Sequence, residues 1–406
     1  MTPGGAAVSV SSADVLRDPP AFSVVLGGPL YQLLRRTHLS DDALLMVRRR
    51  VVAFSLLAWL PLLVLSALDG RLLGRNVAVP FLLDLETHIR FLVVVPLLLI
   101  AELVVHQRLL PVAGAFIERR LIPEPALPRF VAAIRSAVQL RNSLSAEILL
   151  LAAVYGIGVL IVWRRHTALT ADSWYGSSAQ AGGRLSAAGI WYGCVSLPIF
   201  QFLLLRWYFR LFIWTRFLWH VSRIKLTLVP THPDRLGGLG FLSLTVYAFT
   251  VLLVAHGAML AAQIGDRVLL LGATLPEFKI EIAVMLLFLL CVVFGPLLAF
   301  APQLARGKRA GLLEYGTLAE RYVRDFAVKW LPPGAPDKEP LLGSSDIQSL
   351  ADLANSFEVI RSMRLAPITR TALLQLTAAV LLPIAPLLLT MMPLETLLKK
   401  LLGLVF

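Results

Sequence analysis

The sequence predicts an all-α integral membrane protein, a bundle of six or seven transmembrane helices with a small helical cytoplasmic appendage. Three observations predict this fold class. Hydrophobic residues make up 57% of the 406 residues and charged residues only 16%, against roughly 45–50% and about 25% in soluble domains. Seven stretches approach the length of about 20 apolar residues that crosses a bilayer as a helix. Basic residues also alternate between rich and poor segments along the chain. The apolar and charged fractions together exclude an ordinary cytosolic enzyme.

The N-terminal segment, residues 1–46, is predicted to be cytoplasmic or interfacial. It lacks the charged start, apolar middle and cleavage site of a signal peptide. Its one apolar stretch, 21–34, is broken by Gly27, Gly28 and Pro29. That length suits an interfacial or re-entrant piece better than a span.

The transmembrane domain is predicted over residues 47–304, with six helices, and one more hydrophobic stretch follows near the C-terminus. This last stretch contains Pro383 and Pro386, so residues 371–406 predict either a seventh span or a re-entrant helix, followed by an amphipathic tail. The predicted spans cover residues 51–68, 91–110, 147–163, 187–206, 240–264, 280–304 and 371–392.

The distribution of Lys and Arg predicts the orientation. When basic residues at span ends are counted with the adjoining loop, alternate segments carry 28 and 10 of the 38. Cytoplasmic loops hold the excess, so the N-terminus is predicted to be cytoplasmic. Most of the net charge of +13 is thus an orientation signal. It predicts the lipid bilayer and its anionic headgroups as partners, and no nucleic acid.

The cytoplasmic appendage is predicted over residues 305–370. Its first part extends the sixth span as a helix and ends at Pro332, and a second, amphipathic helix begins with a capping pattern at Ser345 and Gln348. Two helices are too few to build a core of their own. We therefore expect them to pack on the membrane domain, on each other or on another subunit, which favours a homo-oligomer.

A basic and aromatic face follows the fourth span. At 100° per residue, five side chains share one helical face. Basic residues interleaved with aromatic ones are typical of the headgroup zone, where Arg and Trp anchor a helix. The alternative is a cationic pore mouth that concentrates anions. The five residues are Arg206, Arg210, Arg216, His220 and Arg223.

A glycine-rich loop comes directly after this face and leads into the fifth span. Glycines permit the left-handed backbone of a tight turn, and Asp can cap backbone donors. Such a loop at a helix start can also hold a phosphate or a lipid headgroup. Both interpretations stay open. The residues concerned are His232, Asp234, Arg235, Gly237, Gly238 and Gly240.

The loop His-Pro-Asp-Arg-x-Gly-Gly-Leu-Gly-Phe-Leu at 232–242 resembles a signature of uncharacterised bacterial multi-pass inner-membrane proteins. The string Asp-Ile-Gln-Ser-Leu-Ala-Asp-Leu at 346–353, continuing to Met-Arg-Leu at 363–365, is similar to a second signature of that group. The string Gly-Gly-Pro-Leu-Tyr at 27–31 fits it too. The resemblance implies a multi-pass protein of a bacterial inner membrane, and it implies no activity, substrate or cofactor.

Three of the polar residues inside predicted spans are singled out as candidates, namely Glu102, His106 and His256. Such residues are costly in a bilayer and are functional candidates by default. Glu102 and His106 lie one helical turn apart, and His256 lies in the fifth span. A Glu–His pair suits a proton relay or gate, or else an interhelical hydrogen-bonded pair. No nucleophile elbow and no metal-ligand spacing occurs, so no catalytic residue, metal or cofactor is predicted.

These features favour an oligomeric membrane channel or facilitator that favours anions, with cytoplasmic helices that supply subunit contacts or a gate. Few intramembrane carboxylates and two kinked spans support this hypothesis over a proton pump. The first alternative is a membrane enzyme that acts on a lipid-linked or phosphate-bearing substrate at residues 232–235. The second is a non-catalytic scaffold or sensor.

Overall fold

A computed structural model describes residues 22–29, 31–32, 47–73, 77, 79–157, 173–176, 185–331 and 343–390. Within these ranges the chain is helical and forms no β-strand. Three isolated bridges join Val79, Ser173, Gly176 and Leu185 in pairs.

Nine helices organise the described ranges. The long helices contain short 3-10 or π turns, and these are included in their bounds. The helices are α1 Val47–Leu68, α2 Leu85–Glu118, α3 Leu127–Arg141, α4 Leu144–Ala153, α5 Ala187–Ser222, α6 Leu239–Leu270, α7 Leu275–Trp330, α8 Ser345–Arg361 and α9 Arg370–Thr390.

Six of these helices are long and apolar enough to span a membrane, namely α1, α2, α5, α6, α7 and α9. They contain six of the seven spans predicted from the sequence, although residues 391 and 392 of the last one lie outside the described residues. The predicted span 147–163 begins inside α4 and leaves the described ranges after residue 157. Helices α3 and α4, taken with their extensions, meet at 47°, as a broken span or re-entrant loop does.

Helix α6 lies at the centre of the bundle and packs against α2 and α9. Gly257 makes the contact with α9 close, because a Cβ there would lie 2.2 Å from the carbonyl oxygen of Val380. Small residues are the usual means of such close approach between membrane helices. Most buried apolar side chains belong to one large core cluster, in which Phe91, Leu253 and Phe300 are all fully buried, and a smaller cluster lies between α6, α7 and α9.

Different segments of the chain lie at the two ends of the bundle. At the end where α2 begins, called here the Asp84 end, Trp174 donates a hydrogen bond of 2.8 Å to Asp84. At the opposite end, called the Asp234 end, lie the loop between α5 and α6 and the predicted appendage.

The appendage consists of two helices that pack on each other, α8 and the last part of α7. Lys329 and Trp330 of α7 donate to the Asp346 carboxylate over 2.7 and 3.1 Å, and these bonds lower the pKa of Asp346. The N-cap of α8 is Ser344, whose hydroxyl accepts from the Asp346 amide. The predicted cap at Ser345 is therefore one residue too late. Residues 332–342, the predicted linker, lie outside the described ranges.

Candidate functional site

A charge cluster lies inside the bundle toward the Asp234 end. We define it as Arg50 of α1, Glu102 of α2, Glu147 of α4, and Arg206 and Arg210 of α5. All five residues are less than 9% exposed. Five charges from four helices in one buried group contrast with the single Glu–His pair predicted from the sequence.

Glu102 is the centre of the charge cluster. Its carboxylate pairs directly with Arg50, lies 2.8 Å from Arg210, and lies 3.6 Å from Arg206. Arg206 also lies 3.7 Å from the Glu147 carboxylate. Buried charges persist only when they are paired and hydrogen-bonded, and this arrangement supplies two carboxylates for three guanidinium groups.

The N-terminal segment 22–29 packs over the charge cluster. Phe22 is fully buried, with its ring 4.6 Å from that of Phe217. The Ser23 carbonyl accepts a 2.5 Å hydrogen bond from Arg141. The space left between this segment and Arg206 is only about 10 Å³, about the room for one water molecule. The segment therefore leaves almost no space over this part of the charge cluster.

His106 does not pair with Glu102, although both lie on the same face of α2. Its Nδ1 is 2.9 Å from the Ser23 hydroxyl, while Glu102 faces the arginines. The two side chains therefore make separate contacts with other segments.

A polar cavity of about 530 Å³ lies on the Asp84 side of the bundle. Helices α2, α5, α6 and α7 form its walls. The polar side chains that line it are Asp84, Glu86, Thr87, Arg90, Tyr175, Tyr192, Gln201, Tyr208, His256, Gln263 and Asp266.

The Asp84 side of the polar cavity is held by a network between α2, α5 and α6. Arg90 pairs with Glu86 and with the Tyr192 hydroxyl. Asp266 of α6 accepts from the backbone amides of Leu85 and Glu86 over 3.0 and 2.9 Å. It thereby satisfies two of the free amides at the start of α2. These bonds connect the three helices at this side of the cavity.

Arg90 begins one turn of π-helix, and its partner Tyr192 begins another. The π turns cover Arg90–Val94 in α2 and Tyr192–Ser196 in α5. Such turns are rare and occur often at functional sites. Two of them facing one cavity mark it as the strongest candidate site among the described residues.

Deeper in the cavity, the Tyr208 hydroxyl lies 2.8 Å from His256 Nε2. His256 Nδ1 is 2.8 Å from the Leu252 carbonyl oxygen, which can only accept. Nδ1 therefore carries the proton in the neutral ring, and Nε2 accepts from Tyr208. Gln201 lines the same wall, and its buried side-chain oxygen has no hydrogen-bond partner.

The predicted basic face is divided by the structure. Arg206 and Arg210 point into the charge cluster and are buried, whereas Arg216 is half-buried and His220 and Arg223 are exposed. Helical periodicity placed all five on one face, but α5 passes from the bundle interior to its surface along its length. The five residues therefore do not form one lining.

The glycine-rich loop is organised by Asp234. Its carboxylate accepts from the backbone amides of Leu236, Gly238 and Gly240 over 2.7, 3.2 and 2.8 Å. Partial burial raises the pKa of Asp234, but these three hydrogen bonds outweigh that effect and lower it. The amides that a phosphate would need are therefore already occupied within the loop.

The other loop residues support the same turn. Arg235, Gly237 and Gly238 have positive φ angles of 57°, 63° and 100°. His232 Nδ1 lies 3.0 Å from the Asp234 carboxylate. Arg364, beyond α8, donates to the Asp234 carbonyl over 3.2 Å, which ties the appendage to the loop.

No family model, curated protein or solved structure matches this chain. The site is therefore interpreted from its own geometry.

Sequence reasoning missed several residues of the site. No sequence pattern distinguishes four of them from ordinary residues at span ends or from anchoring residues. They are Arg50, Glu147, Tyr208 and Asp266. One available signal was the spacing of Glu86 and Arg90, four residues apart at the start of α2, which favours an ion pair on a helix.

Proposed function

We propose that the protein is a facilitator for a small polar solute, which occupies the polar cavity from the Asp84 end. The observation that carries the proposal is the polar cavity itself, an open space of about 530 Å³ between four helices, whose wall combines apolar side chains with a group of charged and polar ones. Ligand pockets are of this size. Polar walls inside an apolar bundle are costly unless they serve a ligand or a pathway.

The charge cluster is proposed to be the closed gate of this pathway. It lies toward the Asp234 end, and the segment 22–29 seals it to within the volume of about one water. Passage of a solute then requires Glu102 to separate from its arginines. Tyr208 of the cavity lies between Arg206 and Arg210 in α5, so one helix connects the cavity with the gate.

The charges of the cavity favour a neutral or cationic solute. Asp84, Glu86 and Asp266 line it with a single guanidinium, Arg90. The anion preference expected from the sequence depended on Arg206 and Arg210, and both are paired with carboxylates. Because the cavity lies within one chain, the proposal needs no pore between subunits, and an oligomer remains an expectation of the sequence.

The proposed orientation and location come from the sequence. The uneven distribution of basic residues, 28 in one set of alternate segments and 10 in the other, supports a cytoplasmic position for the Asp234 end. The polar cavity then opens to the outside of a bacterial inner membrane. The lipid-linked enzyme is less favoured, because Asp234 occupies the backbone amides that its phosphate would use.

Solute flux in proteoliposomes tests the proposal. Stopped-flow light scattering would follow swelling with glycerol, urea, choline chloride and sodium acetate. Leu204→Trp fills the cavity from its apolar wall. The matched control is Leu287→Trp on the outer surface of α7, where the leucine is 64% exposed.

We expect the unmodified protein to speed swelling with at least one neutral or cationic solute. Leu204→Trp should reduce that rate about tenfold or more, while Leu287→Trp should leave it within about twofold, with equal thermal stability. A protein that transports none of the four solutes, or two variants with equal rates, would contradict the proposal.

Labelling provides an independent readout. With Cys194 and Cys291 replaced by Ser, Gln201→Cys should react with a membrane-impermeant maleimide added at the outer side only. Reaction from the cytoplasmic side alone would overturn the proposed direction of the cavity.

A further inference from the structure

A groove with a cationic rim lies between the end of α5 and the bend of α7, away from the polar cavity. Two adjoining cavities of about 510 and 470 Å³ form it and share Arg223, Gln303 and Arg306 among their lining residues. The bend arises where α7 changes to a 3-10 turn over Gly295–Phe300. We call this surface the Arg223–Arg306 groove.

One half of the groove is apolar. Trp219 of α5 and Leu298 of α7 line it, and they are 50% and 51% exposed. Pro296, Ala299 and Pro302 complete the wall. Exposed apolar side chains in a concave surface at the end of a span suit an acyl chain, because lipid is the solvent at that level.

The other half carries three cations and no carboxylate. Arg223, Lys225 and Arg306 line it, and none of them has a carboxylate within 4 Å among the described residues. The Arg223 guanidinium lies 4.4 Å from the centre of the Trp219 ring, which holds it at the groove. Arg306 Nε donates to the Pro302 carbonyl, and its terminal nitrogens stay available.

Gln303 builds the turn that presents these cations. It is 8% exposed, and its amide donates to the carbonyls of Ser222 and Ile224 over 2.5 and 2.7 Å. Its oxygen accepts from the Leu226 amide at 3.1 Å. Free carbonyls at the end of a helix carry partial negative charge that opposes an anion. Gln303 satisfies one of them, that of Ser222, and the carbonyl of Ile224 just beyond the helix, beside Arg223 and Lys225.

We propose that the Arg223–Arg306 groove binds an anionic phospholipid, with its phosphate between Arg223, Lys225 and Arg306 and one acyl chain along the wall formed by Trp219 and Leu298. The charge of the rim and the apolar wall beside it both fit this occupant. The site lies where the apolar part of α7 ends at Leu304 and basic residues begin, which is the level of the headgroups. This inference does not depend on the proposed transport function.

Native mass spectrometry of delipidated protein in detergent tests the site. Phosphatidylglycerol would be titrated against phosphatidylcholine with identical acyl chains. The variant Arg223→Gln/Arg306→Gln removes two cations of the rim, and Arg309→Gln/Arg321→Gln removes two exposed cations of α7 that do not line the groove. Thermal melting in the same detergent checks that both variants are folded.

We expect phosphatidylglycerol to bind at least about tenfold more tightly than phosphatidylcholine. At about 1 kcal/mol for each cation, Arg223→Gln/Arg306→Gln should weaken its binding about 30-fold, and the control should change it less than about threefold. Equal binding of the two lipids, or equal effects of the two variants, would overturn the proposal. Full competition by millimolar inorganic phosphate would also overturn it, because a free anion would then be the ligand.

Discussion

Neutralising Glu102 tests whether the charge cluster is a buried, interdependent unit. In Glu102→Gln the central carboxylate is lost, and Arg50, Arg206 and Arg210 keep only Glu147 as a counter-charge. Removal of one partner from a buried ion pair costs about 3–5 kcal/mol, because the remaining charge stays desolvated. Glu102 is 3% exposed, so we expect Glu102→Gln to lower the free energy of unfolding by an amount in this range.

The chain offers a matched control for this measurement. Glu281 of α7 lies 3.5 Å from Arg267, and both side chains are more than half exposed. Exposed pairs contribute about 0–1 kcal/mol, so Glu281→Gln should cost less than about 1 kcal/mol. Titration with SDS in mixed micelles, followed by tryptophan fluorescence and circular dichroism, would give both free energies.

A double variant separates charge pairing from simple loss of packing. Arg210→Met added to Glu102→Gln removes one of the unpaired cations. The loss of unfolding free energy in the double variant should therefore be smaller than the sum of the two single losses by about 0.5–3 kcal/mol, the range for residues in direct contact. A loss below about 1 kcal/mol in Glu102→Gln, or strict additivity, would refute a dry and coupled cluster.

The remaining predictions concern two close contacts and the loop. Gly257→Ala should cost about 1–3 kcal/mol by overpacking against Val380, and Gly295→Ala, with open space around it, should change unfolding by less than about 0.5 kcal/mol. Gly240→Ala should lower the melting temperature, because its Cβ would lie 2.8 Å from the Asp234 carboxylate. The lowered pKa of Asp234 means that its stabilisation is complete above its ordinary value of 3.8 and is lost as the pH falls through the native pKa. Asp234→Asn should therefore flatten the acid part of a stability–pH curve, and an unchanged curve would contradict this assignment.

The sequence determines the helices of this fold because each one depends on the properties of residues that are neighbours in the chain. A high mean hydropathy over about 20 residues predicts a membrane span. Six helices of the structure are long and apolar enough to meet this criterion. The glycine-rich turn is local as well. Asp234 and Gly240 are six residues apart, so the capping expected from Asp234 needs no distant partner.

Only the tertiary structure decides what the charged residues contact. Arg206 looks the same in sequence whether it faces lipid headgroups or Glu102, which is 104 positions away. The rotation of each helix about its axis and its depth in the bundle decide which of these partners Arg206 contacts. Both depend on how the helices pack, not on neighbouring residues in the chain. The polar cavity also arises from this packing, because its walls come from four helices, and no single helix reveals that Tyr208 faces His256.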